Sequence, residues 1–487
     1  MIRLASILAA VLMVATVAAR AEDWPTAAHD AARTGRTAER LGPPFRVLWT
    51  KTWPYEKIAT VSQLIVAGRR GFIGTLGRDG SVAGKVRAVR LADGADAWCY
   101  DKLKGGVAHS LTHADHEGPT VYAATTLGEV VALDAATGRQ RWKADVGFGG
   151  FVCNPCVIEK TVLLGGRDGW FYAFGPGGRP KWKRKVGVPI HCTAAATDGV
   201  VYFLDEAIRA HALRIADGSC LTGWPTKPLP GGSARHYWPV VAGRYVLFRV
   251  APPHRYNWGQ TDGVLFAGVE GVSRRKEADY LAVGTPEQAR LEQQRVIAHL
   301  RAHPHDQVLH CLRRSDGSRA CVPGVFYVGG SGSVGCPPVL DRDGRILTVY
   351  RSYWSVYDSR SWVNPFSAIG VLDPGSGLVE QIKPYGEAKP AAPWGHVWII
   401  ADESSSFSVA GEVLYVCHQG NFGGVGLERG GTFKGVGKRD TWGGHAATSW
   451  HRQEWHGAPR SPLTIAGGVA YYVVGGRVIA CAGKGAQ

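Results

Sequence analysis

Short runs of alternating apolar and polar residues, separated by glycine-containing turns, recur along the first half of the chain. Residues 120–142 hold three such runs, with turns at positions 127–128 and 136–138 and a tryptophan, Trp142, in the third run. Alternation with a period of two residues, interrupted by glycine, is typical of short β-strands joined by tight turns. The pattern therefore predicts an all-β fold built from antiparallel meanders.

The meander is repeated along the chain. Each copy has a tryptophan near its end, and the spacings between Trp98, Trp142, Trp182 and Trp224 are 44, 40 and 42 residues. Four short strands in such a period are typical of one blade of a β-propeller. Candidate innermost strands lie near positions 61, 108, 152, 190, 237, 335, 405 and 459. The sequence therefore predicts an eight-bladed β-propeller of four-stranded antiparallel blades over residues 44–482.

The two ends of this propeller segment complement each other. The last repeat, 462–482, has room for only three strands, and residues 45–53 form an extra strand before the first repeat. Pairing between them would close the ring and remove its open edge. Residues 22–43 are then an N-terminal extension, and residues 483–487 are a C-terminal tail.

An insertion at about 254–306 interrupts the fifth blade. Residues 285–288, Thr-Pro-Glu-Gln, resemble a helix-capping box with proline at the first helical position. They predict a basic, moderately amphipathic helix that continues to Ala302. The helix could cover a small core of the insertion or offer a partner site on the rim, and both interpretations stay open.

The N-terminus has the features of an export signal. Arg3 precedes an apolar run at 4–19, and Ala19-Arg20-Ala21 matches a signal-peptidase site. No later run reaches the ~18–20 apolar residues that a membrane helix needs. We therefore expect residues 1–21 to be a signal peptide and the mature protein to be periplasmic or secreted, soluble, and not membrane-spanning.

Charge and cysteine content narrow the choice of partners. The chain has 56 Lys and Arg against 40 Asp and Glu, a net charge of +16, which favours contact with an anionic surface. Export argues against nucleic acid as a partner. Export also permits disulfides among the ten cysteines. Cys311 and Cys321 flank a turn at 316–317 symmetrically, which predicts a disulfide across a hairpin.

The repeat carries a specific motif. Ala132, Asp134, Gly138 and Trp142 resemble the tryptophan-docking signature of PQQ-like (quinoprotein-type) β-propeller repeats, and residues 23–35 are similar to the opening of exported bacterial members of that family. The resemblance extends over residues 23–482 and implies that Trp98, Trp142, Trp182 and Trp224 pack one blade on the next. It is nearest in kind to the non-dehydrogenase branch that includes an outer-membrane assembly propeller.

Dehydrogenases of this family hold a quinone over Ca²⁺ and carry adjacent cysteines. This sequence has no Cys-Cys pair, and no residues match the Ca²⁺ ligands. It also lacks the common nucleophile, zinc-protease, P-loop and dinucleotide motifs. We therefore expect no catalytic residue, metal or cofactor, and PQQ with Ca²⁺ is the alternative.

Histidine and cysteine recur near the predicted starts of the innermost strands, which converge at one mouth of the channel. A tryptophan- and histidine-rich loop, 442–456, precedes the last of these strands. The candidate channel-mouth residues are His109, Cys153, His191, Cys192, His236, Cys336, His396, Trp442, His445, Trp450, His451, Trp455 and His456. Pairing of Cys153 with Cys192, a loop that plugs the channel, a ligand site and metal capture all stay open.

The sequence favours an exported, non-catalytic scaffold for binding or assembly in the cell envelope, with an envelope protein or a glycan as its partner. The alternative is a periplasmic quinoprotein oxidoreductase that binds PQQ at the channel mouth.

Overall fold

Eight separate β-sheets make up the structure, which is a computed structural model. It describes residues 22–42, 45–77, 83–147, 149–251, 264, 286–326, 337–352, 366–381, 405–418, 421–427 and 461–483. The predicted signal peptide 1–21 and the loop 442–456 lie outside these residues.

The consecutive strands of each sheet form an antiparallel meander that runs from the channel outward, and two strands from the N-terminal end of the chain join the last two sheets. Blade one has β3 (Ile65–Ala67), β4 (Arg70–Gly74), β5 (Val86–Arg90) and β6 (Asp96–Tyr100), and blade two has β7 (Thr112–Ala114), β8 (Thr120–Ala124), β9 (Glu129–Asp134) and β10 (Gln140–Asp145). Blade three has β11 (Cys156–Ile158), β12 (Thr161–Gly165), β13 (Trp170–Phe174) and β14 (Pro180–Lys185), and blade four has β15 (Ala195–Thr197), β16 (Val200–Leu204) and β17 (Ala210–Arg214).

The second half of the ring is built in the same way. Blade five has β18 (Val240–Ala242), β19 (Tyr245–Arg249), β20 (Leu309–Arg313) and β21 (Arg319–Cys321), and blade six has β22 (Val339–Leu340), β23 (Ile346–Ser352), β24 (Phe366–Leu372) and β25 (Val379–Gln381). Blade seven has β26 (Ser405–Ala410), β27 (Val413–His418) and β28 (Asn421–Gly426), with β1 (Arg36–Thr37) beside β26. Blade eight has β29 (Thr464–Ala466), β30 (Val469–Val474) and β31 (Arg477–Ala482), with β2 (Arg46–Lys51) beside β31.

The first strands of most successive blades contact one another around the channel, and β29 contacts β3. The predicted eight-bladed, all-β propeller is therefore confirmed. The expected outer strand of blade eight is also present, because β2 pairs with β31 from Arg46 opposite Ala482 to Lys51 opposite Val478.

Two blades depart from the predicted meander of four consecutive strands. Blade four has three strands, and a single bridge from Leu213 to Cys220 stands at its outer edge. Pro225, Pro228 and Pro230 follow this bridge, and proline offers no backbone N–H to a sheet. Blade seven gains its fourth strand from β1, which pairs in parallel on the channel side.

The insertion in blade five contains the helix α1 (Pro286–Ala302). Val296, Ile297 and Leu300 are buried and pack with Val322 and Phe326 in one small cluster. The apolar side of the helix therefore covers a core of its own, while Leu291 stays exposed. The described residues also include two short 3-10 turns, at Pro176–Gly178 and Pro304–Asp306.

Tryptophan from each of the early blades rests on a glycine of the next blade. A Cβ atom at Gly138 would lie 2.6 Å from the Trp98 ring, and one at Gly218 would lie 2.6 Å from the Trp182 ring. The same relation joins Trp49 to Gly94, Trp142 to Gly178 and Trp224 to Gly317. Trp49 of β2 thus docks blade eight on blade one, a contact that the sequence reading missed.

Asp134 and Gly138 give this turn its shape. The Asp134 carboxylate accepts hydrogen bonds from the Ala136 and Thr137 amides at 3.1 and 2.9 Å, and Gly138 has φ of +71°. Positive φ favours glycine, and here the approaching ring also leaves no room for a side chain. The motif therefore encodes both the turn and the blade contact.

We expect Gly138→Ala to destabilise the protein by about 2–4 kcal/mol, because it combines backbone strain with a clash against Trp98. Gly147→Ala is the matched control, since Gly147 also has positive φ but has nothing within 4 Å of an added Cβ. Urea unfolding of both variants measures the difference. Equal losses would mean that the tryptophan contact contributes nothing.

Cys311 and Cys321 are direct neighbours across β20 and β21. They are present as thiols, and the hydrogen bond between them raises the pKa of Cys311 and lowers that of Cys321. The predicted disulfide therefore has the required register and stays a prediction.

Peptide mapping of the exported protein without reductant should recover Cys311 and Cys321 in one cross-linked pair. Reduction should then lower stability by about 2–3 kcal/mol, because the closed loop is short. Complete alkylation of both thiols in non-reduced protein would contradict the bridge.

Candidate functional site

The N-terminal segment passes through the channel. We call residues 22–38 the strap. Its backbone exchanges hydrogen bonds with the inner strands of successive blades, from Val66 in blade one to Val409 in blade seven. The contacts, in chain order, are Trp24 with Val66, Pro25 O with His113 N (2.7 Å), Ala31 O with Ala196 N (2.7 Å), Ala32 O with Val241 N (3.0 Å), Thr34 O with Leu340 N (2.8 Å) and Gly35 O with Val409 N (2.8 Å).

Blade three joins this series through side chains. Thr26 Oγ1 donates to Asn154 Oδ1 at 3.2 Å, and Asn154 Nδ2 donates to the Ser110 and Leu111 carbonyls at 3.1 and 3.0 Å. The strap therefore contacts seven of the eight blades in their order around the ring. Small residues permit this close approach, and a Cβ at Gly35 would lie 2.7 Å from Val339.

Arg33 anchors the middle of the strap. Its side chain is fully buried; Nε donates to Ala194 O at 3.0 Å, and Nη1 donates to Ala27 O at 2.7 Å and to Thr26 Oγ1 at 2.8 Å. Burial lowers the pKa of Arg33, and the nearby Cys156 thiol favours the charged form. The guanidinium thus ties the strap both to itself and to blade four.

His29 lies between two carboxylates of the strap. Its Nε2 is 3.4 Å from Glu22 Oε1, and its Nδ1 is 3.6 Å from Asp30 Oδ2. Burial disfavours the charged imidazole, but the two carboxylates outweigh burial and raise the pKa of His29 to about 9. The interaction with His29, together with hydrogen bonds from the Thr37 hydroxyl and the Ala38 amide, lowers the pKa of Glu22 to about 2.

The predicted channel-mouth residues of blades two to five that the structure describes are mostly buried. His109, Cys153 and Cys192 are 1–3% exposed and His191 is 8% exposed, while His236 is half-buried. Except in blade seven, the innermost strands begin three to five residues later than predicted. The residues that precede these strands form hydrogen bonds with the neighbouring blade. Gln63 N donates to Ser110 Oγ at 2.8 Å, and Asn154 N donates to Thr193 Oγ1 at 3.0 Å.

The protonation states of these buried groups disfavour acid–base or nucleophilic chemistry. Burial, with smaller contributions from His236 and Arg33, lowers the pKa of His109 to about 3. Burial raises the pKa of Cys153 to about 11 and that of Cys192 to about 12. At neutral pH this histidine carries no charge, and both cysteines are thiols rather than thiolates.

Cys153 and Cys192 are present as separate thiols. The Cys153 thiol donates a hydrogen bond to the Gly165 carbonyl at 3.4 Å, and the Cys192 thiol donates one to the Thr193 carbonyl at 3.3 Å. Their pairing stays a prediction. His191 Nδ1 lies 3.3 Å from Glu206 Oε1, on the blade-four side of the mouth. The remaining predicted residues lie outside the described part of the chain; these are Cys336, His396, Trp442, His445, Trp450, His451, Trp455 and His456.

The described channel residues do not fit PQQ with Ca²⁺. Ca²⁺ takes six to eight oxygen ligands, mostly carboxylates and carbonyls. The described lining contributes a guanidinium, thiols, hydroxyls, one carboxylate at the mouth (Glu206, beside His191) and the Asn154 amide, whose oxygen already accepts from Thr26. Within the residues that the structure describes, no cluster of three or more His, Cys, Asp and Glu side chains could hold a metal.

Comparison with known families agrees with the repeat motif. Residues 82–321 match the family model described as outer membrane protein assembly factor BamB. These residues are PQQ-like propeller repeats. No curated protein matches the sequence of this chain.

Solved structures are similar in fold over almost the whole chain. BamB from Moraxella catarrhalis has a TM-score of 0.51 at 11% identity, covering 90% of this chain and 99% of that chain. A europium-containing methanol dehydrogenase has a TM-score of 0.53 at 11% sequence identity, and the alignment covers 95% of this chain and 98% of that chain. A quinohemoprotein alcohol dehydrogenase from Comamonas testosteroni has a TM-score of 0.54 at 12% sequence identity, and the alignment covers 94% of this chain and 80% of that chain. At these identities the likeness concerns the fold alone.

Within the described residues, no helix is long and apolar enough to cross a membrane.

The charged pairs of the strap predict how stability depends on pH. The folded pKa of His29 lies above its ordinary value, so its contribution is complete below about pH 6.5 and is lost as pH rises through 9. The folded pKa of Glu22 lies below its ordinary value, so its contribution is complete above about pH 4.5 and is lost as pH falls towards 2.

The difference in unfolding free energy between wild type and His29→Gln should therefore be largest between about pH 4.5 and 6.5 and should shrink on either side. Urea titrations of both proteins across the range measure it. A difference that stays constant up to pH 10 would contradict the charged His29.

Proposed function

We propose that this PQQ-like propeller is an exported, non-catalytic scaffold that assists protein assembly in the cell envelope. The observation that carries the proposal is the strap, which lies along the inner face of seven blades, contacting six of them through backbone hydrogen bonds and blade three through the side chain of Asn154. A channel filled in this way leaves the rim and the outer walls of the ring as the surfaces for partners.

Two further observations support the proposal over a quinoprotein oxidoreductase. The described histidine and thiols of the channel mouth have pKa values shifted away from those of a general base or a nucleophile. The matching family model carries the name of an outer-membrane protein assembly factor. An envelope protein is therefore the partner class that we assign, with export directed by residues 1–21.

The test is deletion of the gene in its native host, followed by measurement of outer-membrane β-barrel proteins. Folded barrels resist unfolding by detergent until heated, so gel mobility separates folded from unfolded forms. We expect less folded barrel protein in the deletion strain and recovery when the wild-type chain is supplied.

A strain unable to make PQQ is the control, and it should assemble barrels normally. Normal barrel assembly in the deletion strain, together with loss of a PQQ-dependent, dye-linked alcohol or sugar oxidation, would overturn the proposal in favour of the oxidoreductase.

A further inference from the structure

The outer strand of blade three carries a row of exposed cations. Strand β14 and the residue before it supply five of them, all on the outer wall of the ring. They are Arg179, Lys181, Lys183, Arg184 and Lys185. None of them forms an ion pair with a carboxylate of the described residues, as the full set of described pairs shows. This row, from Arg179 to Lys185, is the β14 cation row.

The equivalent strand of blade two provides the contrast. On β10, Arg141 pairs with Asp134 at 2.6 Å, and Lys143 pairs with Glu129 at 2.9 Å. Blade two therefore neutralises the cations of its outer strand, although the two strands occupy the same place in successive blades. Concentration of unneutralised charge on β14 is a local property of blade three and not a consequence of the net charge of the chain.

The two sides of β14 have different roles. Trp182 and Arg184 face blade four, where the Trp182 indole donates to Ile215 O at 2.9 Å and Arg184 donates to Gly218 O at 3.3 Å. Lys181 and Lys183 lie on the opposite side, where Lys183 Nζ sits 4.7 Å from the centre of the Trp170 ring. Residues in alternation point to opposite sides of a strand, so Lys185 belongs with Lys181 and Lys183.

β14 is also the edge of its sheet, since it pairs with β13 on one side and with no other described strand on the other. An edge strand has unpaired backbone N–H and C=O groups that can add a further strand. Lysines two residues apart along the edge match the spacing of alternate side chains on such an added strand.

From this geometry we infer that β14 binds an acidic extended segment of a partner protein, which adds to the edge of blade three and places its carboxylates against Lys181, Lys183 and Lys185. The inference goes beyond the proposed function and does not depend on it. An anionic membrane is the less favoured partner, because the large apolar side chains that are exposed among the described residues, Leu48, Tyr55, Leu127 and Leu291, lie on other elements.

The test uses the intact protein and a labelled peptide of alternating glutamate and threonine. The peptide should bind with an affinity that falls as salt rises. Lys181→Gln with Lys185→Gln should weaken binding by about tenfold. The control variant, Arg46→Gln with Arg69→Gln, removes two exposed cations from other blades and should bind like wild type. Melting curves establish that both variants are folded.

A second peptide separates strand addition from charge attraction alone. A peptide in which proline replaces each threonine keeps the charge but loses backbone donors, so it should bind much more weakly. Equal binding of the proline peptide would overturn strand addition. Equal binding by the two variants would overturn the assignment to β14.

Vesicles containing phosphatidylglycerol test the membrane. Loss of vesicle binding in the lysine variant, with no peptide binding by the wild type, would overturn the inference in favour of a lipid surface. Lysine on an edge strand can also act only to block uncontrolled pairing. Aggregation of the lysine variant, with no affinity of the wild type for any probe, would overturn the inference in favour of that role.

Discussion

The inner strands of a propeller leave a row of backbone groups facing the channel, and those groups need partners. In this protein the strap supplies many of them. It crosses from Trp24 beside Val66 to Gly35 beside Val409, and β1 then adds a parallel strand to blade seven. Because buried backbone polar groups are costly when unpaired, one segment both satisfies the inner edges and ties separate sheets together.

This arrangement links stability to function. The buried Arg33 ties the strap to blade four through the Ala194 carbonyl, and the carboxylates of Glu22 and Asp30 on either side of His29 hold the strap's own conformation. The proposed scaffold function relies on this use of the inner face for backbone pairing. The same arrangement leaves the outer strands available, and there the blades differ most, as β10 and β14 show.

The sequence predicted the architecture well because the propeller repeat is local. The Trp98 and Gly138 contact, the turn at Asp134 and the closing strand β2 each depend on residues close in sequence or on a periodic pattern. The strap was not predicted, since its contacts join residues separated by up to several hundred positions and involve backbone atoms. The resemblance of residues 23–35 to the opening of related proteins was the only signal, and it does not reveal the path of the chain.

The channel-mouth residues show a different limit of sequence reasoning. Aligning strand starts identified His109, Cys153 and Cys192 as neighbours of the mouth, but burial decided their chemistry, and burial is a property of the folded ring. Charge on β14 was visible in the sequence as a basic run. The sequence does not show that the cations of β14 lack the carboxylate partners that neutralise those of β10, because those partners are defined by the folded structure.

Hydrogen exchange of individual backbone amides tests the central role of the strap most directly. The amides of His113, Ala196, Val241, Leu340 and Val409 donate to strap carbonyls. If the strap is an integral part of the ring, these amides exchange as slowly as amides inside the blades and only with global unfolding. Fast exchange at these five positions, while the blade interiors stay protected, would show that the strap detaches and would contradict the account.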